Sequence, residues 1–194
     1  MKKKVLLVSA ICFLFAVPFF GQRHSGGGGM QRNQSPGMGQ RQGQGQQMQA
    51  RDQIRAQATG QQQTQSRTCT QSMQQVRTRL RTMSRISTSQ PISREQANEW
   101  REQLRNEIQT MNREQEELVN GLNPEQKNAV QKQTQQMQMT QQDFEKLSDA
   151  LDMELALESP DPVKVRDQSR QMEKSLSKLR NQQQQISSEL GLEQ

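Results

Sequence analysis

An apolar repeat with alternating spacings of four and three residues restricts the fold of this chain more than any other feature. Residues at these spacings lie on one face of an α-helix. The longest stripe consists of Val165, Ser169, Met172, Leu176, Leu179, Gln183, Ile186 and Leu190. An earlier stripe of the same kind consists of Cys69, Met73, Val76, Leu80 and Met83. We call each of these helix-packing stripes a seam. We therefore predict an all-α fold.

The helices that carry these seams begin and end at residues typical of helix termini. Short turns join helices one and two and helices three and four, so each pair must be antiparallel. We expect an elongated protein of four helices in two antiparallel hairpins. The expected limits are an end near Ser87 for the first helix, Ser93 to Asn120 for the second, Asn123 to about Glu158 for the third, and Asp161 to Gly191 for the fourth.

Two of these helix starts share a pentapeptide pattern. Each has an apolar residue at N′, a Ser or Asn at the N-cap and a Gln at N3, whose amide can reach back to the N-cap backbone N–H. We expect replacement of Asn123 by Ala to cost more stability than replacement of Gln126, because the latter removes only the reciprocal half of the capping box. The helix-capping residues are Ile92, Ser93 and Gln96 in one copy, and Leu122, Asn123, Pro124 and Gln126 in the other.

These pentapeptides resemble the L-T-x-x-Q motif of the Spy/CpxP family. Leu122 and Gln126 match it with Asn123 in place of Thr, and Gln96 matches it in the other copy. Members of this family are small all-helical periplasmic proteins that act as ATP-independent chaperones or envelope-stress regulators, and some relatives sense metals. The resemblance implies a function of this type, with unfolded or envelope proteins as partners.

The N-terminus has the layout of an export signal. Lys2 to Lys4 precede an apolar run from Val5 to Phe20, which is shorter than the roughly 20 residues that a membrane span needs. We expect cleavage and a periplasmic protein, with a membrane contact only if this segment stays uncleaved. The expected domains are a signal peptide over residues 1–21, a disordered Gly-, Gln- and Arg-rich arm over residues 22–49, and a helical domain over residues 50–194.

Few large apolar residues remain beyond the signal. Trp100 and Phe144 are the only aromatic residues in the part of the chain that follows the signal. Long helices with narrow seams, or a homodimer that shares a seam, suit this composition better than a compact globule. Cys69 is the only cysteine beyond the signal, so it is either a buried small apolar residue or one half of an intermolecular bridge.

Charge is distributed unevenly along the chain. Ten Arg and a single acidic residue, Asp52, lie between Gln22 and Gln90, whereas thirteen basic and nineteen acidic residues follow from Pro91 onward. An alternative function is therefore a non-catalytic envelope scaffold that binds an anionic polymer through its basic arm. Nucleic acid is disfavoured as the polymer, because no Tyr or Phe stands between the arginines to stack on bases.

The sequence argues against an enzyme and against a bound cofactor. His24, the only histidine, lies in the expected arm, so no Ser–His or Cys–His pair can form on the folded part. Zinc is usually bound by Cys and His, and beyond the signal Cys69 and His24 are the only residues of these two types. For a metal-sensing relative, thioethers suit Cu(I), and the candidates are Met30, Met38 and Met48 in the arm and Met137 and Met139 on the third helix. We expect no catalytic or metal site.

A second apolar stripe lies off the main seam of the third helix. Met139 and Met153 share a heptad position, and Leu157 follows one turn beyond Met153. Methionine adapts to irregular partners, so a strip of this kind rimmed by Glu and Lys would suit loose binding of unfolded clients. We therefore hypothesise that Met139, Met153 and Leu157 bind clients. The alternative is that the strip packs on the first helix or on a dimer mate.

Overall fold

The computed structural model describes Gln49 and residues 51–192, and these residues form helices and no strand. The predicted all-α class is thereby confirmed. The expected signal peptide, His24, and Met30, Met38 and Met48 of the arm lie outside the described residues. The helices are α1 (51–56), α2 (Gly60–Ser89), α3 (Arg94–Asn120), α4 (Pro124–Ala129), α5 (Gln131–Leu155) and α6 (Pro162–Leu190).

The described part therefore has six helices where four were expected. Residues 51–56 form a separate short helix, and the expected third helix is divided at Val130, whose φ of −106° and ψ of 12° leave the helical region. Hydrogen bonds from Val130 N to Gln126 O and from Thr134 N to Val130 O still cross the break. Val130 is thus a local irregularity between α4, which is tied to α2, and α5, which packs on α6.

The third expected helix also ends earlier, at Leu155 instead of Glu158. The N–H of Ala156 bonds to Asp152 O, and that of Leu157 bonds to Glu154 O, which tightens the chain into a turn. The buried Glu154 then accepts a hydrogen bond of 2.9 Å from the backbone N–H of Asp161. Its other oxygen lies 3.5 Å from Lys164 Nζ, so this side chain joins both sides of the α5–α6 turn.

Polar pairs show how the long helices pack. Ser66 and Ser187 share a hydrogen bond of 2.7 Å, whereas Arg77, which lies further along α2, pairs with Glu173, which lies earlier in α6, so α2 and α6 are antiparallel. The same argument makes α5 antiparallel to α6 through Gln182–Thr140 and Lys164–Glu154. It also makes α3 antiparallel to α5 through Arg101–Asp152 and Asn112–Glu145. Helix α2 in turn contacts α3.

One apolar cluster forms the core between these helices. It contains the apolar seam residues together with Trp100 and Phe144. Cys69 lies within it and is fully buried, so of the two roles open to this residue the structure favours the buried apolar one. Three polar residues, Gln115, Ser169 and Gln183, occupy seam positions and are buried as well. None of the helices in the described part is long and apolar enough to cross a membrane.

Candidate functional site

Two complete capping boxes open helices α2 and α4. At α2, Thr59 Oγ1 accepts from Gln62 N at 3.2 Å, and Gln62 Oε1 accepts from Thr59 N at 3.0 Å. At α4, Asn123 Oδ1 accepts from Gln126 N at 2.9 Å, and Gln126 Oε1 accepts from Asn123 N at 3.0 Å. Each box satisfies N–H groups that a helix start otherwise leaves without a partner.

The two boxes also bind each other. Gln62 Nε2 donates to Gln126 Oε1 at 2.9 Å, and Gln126 Nε2 donates to Gln62 Oε1 at 3.3 Å. Gln62 Nε2 also donates to the carbonyl of Gly121 at 3.0 Å, just beyond the end of α3. Both glutamines are buried. This pair therefore fixes the start of α2, the start of α4 and the end of α3 to one another.

Of these two capping boxes, the sequence pattern predicted only the one formed by Asn123 and Gln126. Leu122 is buried, Asn123 is the N-cap and Pro124 is at N1 of α4, next to Gln126. The partner box, however, is formed by Thr59 and Gln62, which sequence reasoning missed. The available signal was the T-x-x-Q spacing. Ala58 before it is a weak apolar residue and Gly60 inside it is a poor helix former, which concealed the helix start.

The other predicted copy stands alone at the start of α3. Ser93 Oγ accepts from Gln96 N at 3.2 Å, and Ile92 at N′ is buried in the core together with Ala97. Among the described residues, the Gln96 side chain does not return a hydrogen bond to Ser93 N. This copy is therefore a helix cap without the second half of a box and without a partner box.

Residues around α1 brace the same end of the helices. Gln57 Nε2 donates to Glu125 at 2.9 Å, and Gln57 Oε1 accepts from Asn123 Nδ2 at 2.9 Å. Arg51 pairs with Glu189 at 3.0 Å, and Arg55 donates to the carbonyl of Ser188. The segment thus connects the start of α4 with the last turn of α6.

A shallow cleft of about 310 Å³ lies between α1 and α4. Its lining residues are Gln53, Ile54, Glu125, Asn128 and Ala129. Glu125 is the only ionisable residue among them, and it already accepts the hydrogen bond from Gln57. The cleft therefore lacks the pair of carboxylates that glycoside hydrolysis uses.

The second apolar stripe lies on the exposed face of α5 and continues into the turn after it, because Leu157, which was expected on the helix, lies beyond the end of α5 at Leu155. Met139 is 68% exposed, Met153 65% and Leu157 48%, so the stripe does not pack on α2 or on any other helix of the described chain. Val163, on the first turn of α6, is 54% exposed and was not part of the predicted stripe. Between the two methionines lies the ion pair of Lys146 with Asp143 at 3.2 Å. The stripe is therefore apolar at both ends and charged in its middle.

A polar brace holds α5 with this face outward. Asp152, next to Met153, receives two hydrogen bonds from Arg101, at 3.2 and 3.0 Å, and one from Arg105 at 3.0 Å. Burial works to raise the pKa of Asp152, but the bonds and charges of the two arginines outweigh it and lower this pKa. The carboxylate thus stays ionised and joins α5 to α3 while Met153 faces solvent.

Met137 and Met139, the two copper candidates in the described part, lie in different environments. Met137 is buried in the core whereas Met139, two residues on, is exposed, so these two copper candidates do not lie together. No group of three or more His, Cys, Asp or Glu side chains in the described part could hold a metal ion. Burial, and secondarily the charge of Glu114, raise the pKa of Cys69 to about 12, which keeps the thiol protonated and unreactive.

Three comparisons, with models of protein families, with curated proteins and with solved structures, found no match to this chain.

Proposed function

We propose that this protein is a periplasmic, ATP-independent chaperone or envelope-stress protein of the Spy/CpxP type. Its architecture would be two antiparallel helical hairpins, α2 with α3 and α4–α5 with α6, behind a disordered arm. Its clients would be unfolded or envelope proteins. The observation that carries the proposal is the exposure of Met139 and Met153 on α5, whose opposite side is buried, and of Leu157 in the turn that follows.

Large exposed apolar side chains are the physical requirement for binding an unfolded chain. An unfolded client presents apolar side chains in no fixed order, so a flexible thioether can pack on many of them where a branched side chain could not. The charged middle of the stripe, Asp143 and Lys146, keeps the surface hydrated. Binding of this kind is loose and needs no nucleotide to release the client.

The paired capping boxes give the family resemblance a second support. Thr59 and Gln62 match the T-x-x-Q part of the L-T-x-x-Q motif, and they hydrogen bond to the copy formed by Asn123 and Gln126. Two motif copies that pair in space are a more specific feature than two isolated caps, because a cap alone arises at any helix start.

A light-scattering assay tests the proposal. The purified protein, without ATP, should suppress aggregation of an unrelated unfolding protein at near-stoichiometric ratio. Mass spectrometry of protein recovered from the periplasm should also find a new N-terminus close to Gln22. Absence of suppression by the intact protein would reject the chaperone function, and recovery of the uncleaved chain from the cytoplasm would reject export.

Deleting the arm separates this proposal from the polymer-binding scaffold. A chaperone should keep most of its activity in residues 50–194, whereas a polymer binder should lose affinity and its dependence on salt. Three arginines of α2 are already engaged in ion pairs, because Arg77 and Arg81 pair with Glu173 and Arg79 pairs with Glu107. These three side chains are therefore less available to an anionic polymer.

The packing of one chain does not require the expected homodimer. Seam residues from every long helix are buried within a single copy. The few large apolar residues of the chain thus form a core without a seam shared between two copies. Light scattering coupled to size exclusion would measure the mass in solution. A dimer found there would have to use an exposed face, of which the α5 stripe is the most apolar candidate.

A further inference from the structure

The methionines of the described residues fall into two classes. Met139 and Met153 are exposed on α5, whereas the other five are 0–3% exposed in the core. The buried members are Met73, Met83, Met111, Met137 and Met172. Cys69, the one cysteine in the described part, is also fully buried. An oxidant in solution therefore reaches the sulfur atoms of Met139 and Met153 more readily than the other sulfur atoms of the helical domain.

Both exposed methionines can be oxidised without damage to the core. A peroxide reacts with a thioether by attack of the sulfur lone pair on one peroxide oxygen. The O–O bond breaks, an S=O bond forms, and water leaves after proton transfer. The sulfur loses two electrons and the peroxide gains them. The product, methionine sulfoxide, is polar where the thioether was apolar, and at a solvent-exposed position this change costs the fold little.

We propose that Met139 and Met153 form a reversible oxidation site, and that their conversion to sulfoxide by a peroxide switches off the apolar face of α5. The effect on client binding rests on the proposed chaperone function. Binding depends on burial of the thioether against the client, and a sulfoxide must be dehydrated to make the same contact. Methionine sulfoxide reductases restore the thioether: two thiols supply two electrons and two protons and become a disulfide, and the sulfoxide oxygen leaves as water, so the switch is reversible.

Peptide mapping tests the site independently of any client. With limiting hydrogen peroxide, peptides that contain Met139 and Met153 should gain one oxygen each well before those that contain Met73, Met83 or Met172. The thermal melting curve should stay unchanged at this stage. Equal rates for the exposed and buried methionines, or unfolding that accompanies the first oxidation, would overturn the proposal.

A leucine variant tests the switch. M139L/M153L keeps an apolar side chain and high helix propensity but has no sulfur at these positions. Because Met139 and Met153 belong to the proposed client surface, the suppression by M139L/M153L before oxidation is measured separately and serves as the baseline for this variant. After oxidation the wild type should need about ten times more protein for half-maximal suppression, which corresponds to about 1.4 kcal/mol, whereas M139L/M153L should be unaffected. Treatment of the oxidised wild type with a reductase should restore its activity.

The leucine variant also controls for the other methionines. Met30, Met38 and Met48 are present in both proteins, so an equal loss of activity in both would place the effect elsewhere and refute the switch. Oxidation of Met139 and Met153 with undiminished suppression would refute it as well. Failure of the proposed function gives a different result, because the untreated wild type would then show no suppression at all.

Discussion

The side-chain amides of Gln62 and Gln126 donate hydrogen bonds to each other, at 2.9 and 3.3 Å, and thereby join the capping boxes of helices α2 and α4. Each amide oxygen also accepts the N–H of its own N-cap residue, Thr59 or Asn123. The local requirement of a helix start and the long-range contact between two helices are thus met by the same two side chains. Their energetic contributions should therefore be coupled.

Replacing Gln126 with Ala should lower the free energy of unfolding by about 1–3 kcal/mol, because the buried Gln62 amide loses one of its partners and keeps only Thr59 N and the carbonyl of Gly121. This reverses the order expected from sequence, in which Asn123 mattered more. A double-mutant cycle with Gln62→Ala, measured by urea unfolding, should give a coupling energy of about 0.5–3 kcal/mol. Gln96→Ala is the matched control and should cost about 0.5 kcal/mol or less. Additive losses at Gln62 and Gln126 would contradict the pairing.

A buried glutamine without partners should behave in the opposite way. Among the described residues, neither Oε1 nor Nε2 of Gln115 has a hydrogen-bond partner, and the residue is buried. Replacing Gln115 with Leu should therefore stabilise the protein by roughly 1 kcal/mol, since it removes an unpaired polar group of similar size. Gln126→Leu, the same change at a bonded position, should destabilise it. A loss of stability in Gln115→Leu would indicate that the amide has a partner in solution.

Periodicity predicted the fold class but could not predict the break at Val130. Val130, Met137, Phe144 and Leu151 recur every seven residues, so the sequence pattern continues through the break. The break lies four residues after a tertiary contact, the hydrogen bond of Gln126 on α4 with Gln62 on α2. Local spacing carries no information about such a contact between residues 64 positions apart.

Heptad positions were more informative about the surface than about the buried polar contacts. Met139 and Met153 fall off the seam in sequence and are exposed in the structure, although their role in client binding stays a prediction. Val163 was missed because it lies only two positions before the seam residue Val165, at the start of α6. Glu154 was missed because its interaction with Asp161 N depends on the course of the turn.

Gly191 should tolerate no side chain. It has a φ of +69°, and a Cβ added there would lie 2.9 Å from Arg55 Cγ. Gly191→Ala should therefore lower the free energy of unfolding by about 1–2 kcal/mol through the left-handed conformation. Gly60→Ala is the matched control, because nothing lies within 4 Å of its added Cβ, and should be neutral or stabilise by up to about 1 kcal/mol. Thermal melting of both variants provides the comparison.

Cys69 should make stability fall at alkaline pH. Burial raises its pKa from 9.0 to about 12, so above pH 9 the thiol ionises in the unfolded chain but not in the folded one. Its stabilising contribution is complete below pH 9 and is lost as the pH rises towards 12. Between pH 8 and pH 10 the loss should be about 1.4 kcal/mol. Urea unfolding of wild type and Cys69→Ala at both values isolates this effect, and parallel changes in the two proteins would contradict it.

The last prediction concerns the exposed face of α5. Changing Met139, Met153 and Leu157 together to Gln keeps helix propensity at the two methionines of α5 and alters only exposed positions. The melting temperature should stay nearly constant while suppression of client aggregation weakens.

Met137→Gln, two residues from Met139 but buried in the core, is the contrasting variant and should lower the free energy of unfolding by about 2 kcal/mol or more. At temperatures where it remains folded, it should still suppress aggregation. A triple variant that is destabilised as strongly as Met137→Gln would show that the stripe packs against protein in solution, and unchanged suppression would place the client site elsewhere.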